Sequence, residues 1–324
     1  MDQPRVNLAV MAVADVEIRI RSEVGLLDEP SPLYSSFRLP SALGSPGTSV
    51  VDLVVRAEAA PPNNAPTVFE TGGPWYLQQE GSGYRISLWR SEGGPPRVVA
   101  CSNRDTTRVT VFDSRAAAGA REETNGAPKQ AVANPMSYPL DQLLLMNHLA
   151  PLGGVIVHAA GAVIGSKALV FAGASGAGKS TISQLLAGGG LGDSLLSDDR
   201  VILRLDQEGR SASSEEASRR ITAWGTPWAG DAQVARNASA PLGAVLFLAK
   251  GDKEELVAME AASALRRLLP MVSAPWYDAE LFPAVLDTCS QIVMACPCYE
   301  LRFRPTAEVV ALLTGRSWDG EESR

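Results

Sequence analysis

The chain has 324 residues, 45% hydrophobic and 20% charged, with a formal net charge of −7. This length admits two domains, or one large domain with an appendage, and the composition is that of a soluble globular protein. An acidic balance without a long Lys/Arg run argues against a nucleic-acid partner, and the four Cys do not make a disulfide framework in so long a chain.

The sequence opens Met1-Asp2-Gln3, lacks a basic leader and meets charges at Asp15, Glu17 and Arg19, so no secretory signal is expected. The longest apolar stretch, residues 153–164, carries His158 and is too short to span a bilayer. A cytoplasmic protein with free thiols and no membrane partner is the expectation.

Residues 7–21 end in strict apolar/polar alternation and are read as a half-buried strand. Residues 22–65 are rich in Pro, Ser and Gly, with one strand candidate at 49–56. Short strand-like pieces follow at 75–80, 84–90, 97–101 and 107–112, separated by turn residues such as Gly81-Ser82-Gly83. This spacing predicts an antiparallel β-meander. Residues 1–113 are therefore expected to form a β-rich N-terminal domain. Residues 114–137, Ala-rich and then polar with Gly and Pro, read as a linker or mobile loop. Pro139-Leu140-Asp141 opens an apolar helix candidate through Leu149; its His148 is assigned no role. Residues 138–315 mix strand and helix patterns and are expected to form an α/β domain, and 316–324 a frayed tail.

Inside that second region, Gly173-Ala174-Ser175-Gly176-Ala177-Gly178-Lys179-Ser180 is a full match to the P-loop (Walker A) pattern G-x-x-x-x-G-K-[ST]. It follows an apolar strand-like run, 168–172, and precedes a helix-like run from Thr181, which is the context the motif requires. Glycines let the backbone approach a polyphosphate, and successive amides with the positive end of the helix face the anion. The expected nucleotide-binding set is these eight residues and Thr181. Lys179 adds charge at the β- and γ-phosphates, and the Ser180 hydroxyl completes a magnesium shell.

Downstream, Asp198-Asp199 follows the short apolar pair Leu195-Leu196. In a turn past a strand both carboxylates can face a metal and phosphate region. Asp198 is then the magnesium ligand, directly or through water, and Asp199 the base for the incoming nucleophile. The plainer alternative is a solvated turn with two acids. His158 either orients a carboxylate or is a hydrogen-bonded core histidine. Cys289, Cys296 and Cys298 are read as buried thiols on or near a late strand rather than metal ligands.

His158, the P-loop and Asp198-Asp199-Arg200-Val201, in this order, resemble the catalytic domain of the HPr kinase/phosphorylase family over roughly residues 150–310. The strings Val157-His158-Ala159-Ala160-Gly161 and Ser197-Asp198-Asp199-Arg200 carry the likeness. It implies the fold shared with ATP-dependent phosphoenolpyruvate carboxykinases, distinct from the common P-loop sheet. It also implies ATP and Mg²⁺ as ligands, with Lys179 and the loop amides on the phosphates and Ser180 and Asp198 on the metal. Asp199 would activate an acceptor serine and His158 support it. A homo-oligomer is left open. The family's second signature is missing. In its place Thr226-Pro227-Trp228 with Gly230 resembles divergent stand-alone relatives, including kinases of small peptides. Trp224 and Trp228 there either stack on a base or peptide or fill a loop corner, and Arg200, Arg219 or Arg220 is a candidate for assisting transfer.

The expected function is an ATP-dependent serine kinase acting on a protein or peptide. A small-molecule kinase with residues 1–113 as lid or pocket, and a non-catalytic ATP-gated module, stand as alternatives. The acceptor is not legible from the motifs.

Overall fold

Both halves of the chain fold around a nine-stranded sheet. The computed structural model describes residues 7–23, 27, 30–42, 48–70, 75–88, 96–114, 134–206 and 221–318. It divides into two units, Met1–His148 and Leu149–Arg324. The expected linker falls almost wholly outside the described residues, as do positions 319–324 of the expected tail.

In the first unit β1 (Asn7–Val13) and β2 (Val16–Ser22) form a hairpin. The strand expected over 7–21 is thus two strands. Ala14 and Asp15 turn the chain at φ 50° and 61°, the paired positive angles of a two-residue hairpin turn. The remaining strands are β3 (Arg38–Leu39), β4 (Ser49–Arg56), β5 (Thr67–Glu70), β6 (Trp75–Glu80), β7 (Gly83–Leu88), β8 (Val98–Ser102) and β9 (Arg108–Asp113). Their order is β3-β1-β2-β4-β9-β8-β7-β6-β5. From β6 to β9 this is the expected antiparallel meander, and β5, a strand the spacing did not predict, extends it by one. β4, however, runs parallel to both β2 and β9. A parallel neighbour needs a long connection; the meander itself supplies the one between β4 and β9.

Helix α1 (Leu140–Leu149) belongs to this unit apart from its last residue, although the boundary expected at 138 would group it with the second. Its polar side chains explain why. The Tyr34 hydroxyl donates to the Asp141 carboxylate. The His148 ring bonds Ser49 Oγ at 2.7 Å and the Asp105 carbonyl at 2.9 Å. These two bonds make the buried His148 a tie between α1 and the sheet unit.

The second unit comprises β10 (Gly154–Ile164), β11 (Lys167–Ala172), α2 (Lys179–Leu186), β12 (Leu195–Ser197), β13 (Arg200–Leu205), β14 (Ile221–Trp224) and β15 (Ser239–Lys250). These are followed by β16 (Glu255–Ala258), α3 (Ala261–Leu268), β17 (Val272–Ser273), α4 (Leu281–Ala295), β18 (Cys298–Phe303) and α5 (Glu308–Thr314). The main order is β11-β10-β13-β14-β15-β18-β16, and β11 also pairs with β15, so five strands close a ring. β11, β15 and β18 are parallel, while β10 is antiparallel to β11. The architecture is mixed α/β with large mixed sheets.

Two long strands make this closure possible. β10 pairs with β13 through residues 154–158 and with β11 through 159–164. The glycine break expected in it is a register shift against β12 at Gly161/Ala162 within one continuous strand. A Cβ on Gly161 would stand 2.8 Å from Val201 Cγ1. The core under the parallel strands holds Phe171, Leu246, Leu248 and Leu301 with Ile182 and Leu186 of α2 and Val309 and Leu313 of α5. Phe171 is fully buried, and its truncation to Ala would cost about 3–5 kcal/mol.

The cysteines are free. All three late cysteines are buried as expected, Cys296 just past the end of α4 and Cys298 at the start of β18, while Cys289 lies in the middle of α4. Among the described residues no helix is long and apolar enough to cross a membrane.

Candidate functional site

The phosphate-loop residues leave β11 at the carboxyl end of the parallel strands, the edge at which open α/β sheets hold their ligands. Gly173 packs toward Leu248 of β15, and Gly178 toward Phe303 of β18. Each glycine has a distinct reason. A Cβ on Gly173 would lie 2.6 Å from Ala177 Cβ. Gly176 and Gly178 have φ of 79° and 110°, the left-handed region that side chains resist. Gly178 caps α2, whose first-turn amides have no carbonyl of their own helix to bond. Ala174, Ser175 and Gly176 are exposed, and Ser180 and Thr181 are half-buried at the start of the helix.

Lys179 turns back into its own loop. Its Nζ donates to the carbonyls of Gly173 at 2.9 Å and Ala174 at 3.2 Å. Burial lowers the pKa of this ammonium group, against the attraction of Asp199 and together with the repulsion of Arg200. Lys179, Asp199 and Arg200 therefore share one electrostatic neighbourhood.

Strand switching brings His158 and Asp199 together. β12 pairs with the second half of β10 and β13 with the first, so the Asp198-Asp199 bend between them sits where β10 changes partners. The Ala159 amide bonds the Asp199 carbonyl at 3.0 Å. His158 Nε2 lies 2.9 Å from Asp199 Oδ1, and Arg200 Nη1 donates to Asp199 Oδ2 at 2.9 Å. His158 is 29% exposed at its side chain and Asp199 30%, so this histidine opens to the surface rather than filling the core. Burial pushes the Asp199 carboxyl up. The hydrogen bond from His158 and the charges of Arg200, His158 and Lys179 outweigh it, holding the group below the ordinary carboxylate range.

Asp198 has a role that the motif did not reveal. It is 2% exposed. Its Oδ1 accepts the amides of Gly230 at 2.9 Å and Val234 at 3.1 Å, and its Oδ2 that of Ala232 at 2.6 Å. An ionised carboxylate offers about four lone-pair sites, so one remains on Oδ2. Among the described residues no group of three or more His, Cys, Asp or Glu is placed to hold a metal. The donors here suit Mg²⁺, which takes one or two protein oxygens and completes its shell with water and substrate phosphates. Ser180 Oγ and the remaining Asp198 lone pair would be those oxygens.

Thr226 is fully buried, and its hydroxyl donates to the Arg200 carbonyl at 2.6 Å. Trp228 is 6% exposed, which fits a filled loop corner; Trp224 is half-buried at the end of β14. Arg200 is held on Asp199. Arg219 and Arg220 lie outside the described residues. No protein-family model matches the chain, and comparison with curated proteins finds no match.

Proposed function

We propose that this chain is an ATP- and magnesium-dependent kinase that transfers the γ-phosphoryl group to a serine hydroxyl of a protein or peptide. Its second unit is, on this reading, a catalytic domain of the HPr kinase/phosphorylase type. One observation carries the reading: the Asp199 carboxylate is oriented from two sides by His158 and Arg200, which with Lys179 hold it below the ordinary carboxylate range against the effect of burial. A loop that only holds a nucleotide needs no such carboxylate, whereas transfer to a hydroxyl needs a group to take its proton. An antiparallel neighbour to the P-loop strand is in keeping with a sheet unlike the common parallel one.

The chain's own residues divide the work. Lys179 exchanges its loop carbonyls for phosphate oxygens, and the amides at the start of α2 face the same charge. Magnesium, when bound, neutralises charge on the phosphate oxygens; Ser180 and Asp198 are the residues that would hold it. His158 and Arg200 fix the Asp199 carboxylate. As the serine oxygen bonds to the γ-phosphorus and the bond to the ADP oxygen breaks, the serine proton passes to Asp199. A weakly basic carboxylate suffices, because a loose transition state asks for little nucleophile activation.

The test is transfer from γ-labelled ATP with Mg²⁺ to proteins of a cell lysate, using wild type and Asp199→Asn. The wild type should label serine, and the variant should bind ATP but label nothing. ATP binding by both with labelling by neither would favour the nucleotide-gated module.

A further inference from the structure

We propose that Asp198 is a positioning residue: it pins the loop of residues 225–236 against Asp199 and so fixes where that base stands before any nucleotide binds. The ends of this loop touch. A Cβ on Gly225 would lie 2.1 Å from the Arg236 carbonyl oxygen and 2.7 Å from that of Leu196, the geometry of a compact Ω-loop. Alternate amides within it, from Gly230, Ala232 and Val234, converge on the single Asp198 carboxylate. Three backbone N–H donors on one carboxylate stabilise its charge, so the loop itself supplies hydrogen-bond compensation for this buried group.

The same loop contacts each neighbour of Asp198. Ala235 bridges to Ser197. Thr226 bonds the Arg200 carbonyl. Gly230 lies flush on the base, since a Cβ there would meet Asp199 Cβ at 3.1 Å. At the far end the Arg236 guanidinium donates to the Gly192 and Asp193 carbonyls at 3.1 and 3.0 Å. The loop is thus a rigid back wall for the Asp199 bend, and Asp198 is its central pin. The purpose of that wall rests on the kinase reading; the pinning does not.

Two variants separate pinning from simple metal ligation. In Asp198→Asn one oxygen can still accept two amides, but the side-chain NH₂ then meets the Ala232 N–H. Hydrogen exchange is read on protein free of nucleotide and metal. The loop 225–236 should exchange about tenfold faster or more, with the P-loop segment unchanged. The same variant loses the one Oδ2 lone pair left for the metal, so the Mg²⁺ concentration for half-maximal binding of a fluorescent ATP analogue should rise as well, and the loop exchange is the readout that metal ligation alone would not move. Unchanged loop exchange with a large shift in Mg²⁺ demand would overturn the proposal. Gly230→Ala keeps the carboxylate group but presses a methyl on both Asp199 Cβ and Asp198 Oδ2, each 3.1 Å from the new Cβ, so it should lower kcat, and a wild-type kcat would equally overturn it. It also decides the matter if Asp198→Asn fails to fold. Should wild type transfer no phosphate at all, the kinase reading fails and the exchange result still judges the pin.

Discussion

His158 and Asp199 stand 41 residues apart in sequence, yet His158 Nε2 and Asp199 Oδ1 are 2.9 Å apart. The contact exists because β10 changes partners at that level, which lets a bend between two short strands turn a carboxylate onto it. Arg200 closes the other side of the same carboxylate.

Removing the histidine should move a pH profile in a defined direction. Burial raises the pKa of Asp199, and His158, Arg200 and Lys179 lower it, with a net downward shift. The base form exists above that pKa, so activity is lost as pH falls through it. His158→Asn removes a lowering influence, and the acid limb of kcat/KM should shift to higher pH. An acid limb that does not move would remove Asp199 from the base role.

Lys179→Ala deletes the charge that the loop holds ready behind Gly173 and Ala174. Affinity for ATP, measured by calorimetry, should fall about 10- to 100-fold, the worth of a charge-assisted phosphate contact. Far-ultraviolet circular dichroism should be unchanged.

Gly178→Ala forces a side chain into φ 110° and to 3.1 Å from the Phe303 ring. Thermal unfolding should show a loss of about 1–3 kcal/mol, with weaker nucleotide binding. Gly188→Ala meets nothing within 4 Å and should leave both nearly unchanged. Equal effects at the two sites would contradict the loop geometry.

Burial pushes Cys289 and Cys298 up to about 12 and Cys101 to about 11, with Cys296 well above its ordinary value. The thiolate is the reactive form. Native protein at mildly alkaline pH should therefore react slowly with iodoacetamide, and denaturant should release the block. Rapid labelling of native Cys298 would mean that β18 is not packed as described.

What was legible in the sequence was local. The strand–loop–helix around residues 173–180 could be read because its physics is contiguous: glycines, lysine and helix start lie in eight residues. The meander could be read because turn residues punctuate it. The β1–β2 hairpin could not, since Ala14-Asp15 lacks the Asn-Gly type of pair that announces such a turn. Helix α4 also escaped notice, with Pro283 in its first turn masking a start that proline tolerates. Asp198 and Asp199 look alike in sequence. Their roles diverge through partners that lie far along the chain: the 230–234 amides for one and His158 for the other.

A structure with Mg²⁺ and a non-hydrolysable ATP analogue tests the central claim most directly. The account predicts Lys179 Nζ on the terminal phosphates and the Asp199 carboxylate facing the γ-phosphorus from the side a serine oxygen must approach. An Asp199 side chain turned to solvent, away from that phosphorus, would contradict it.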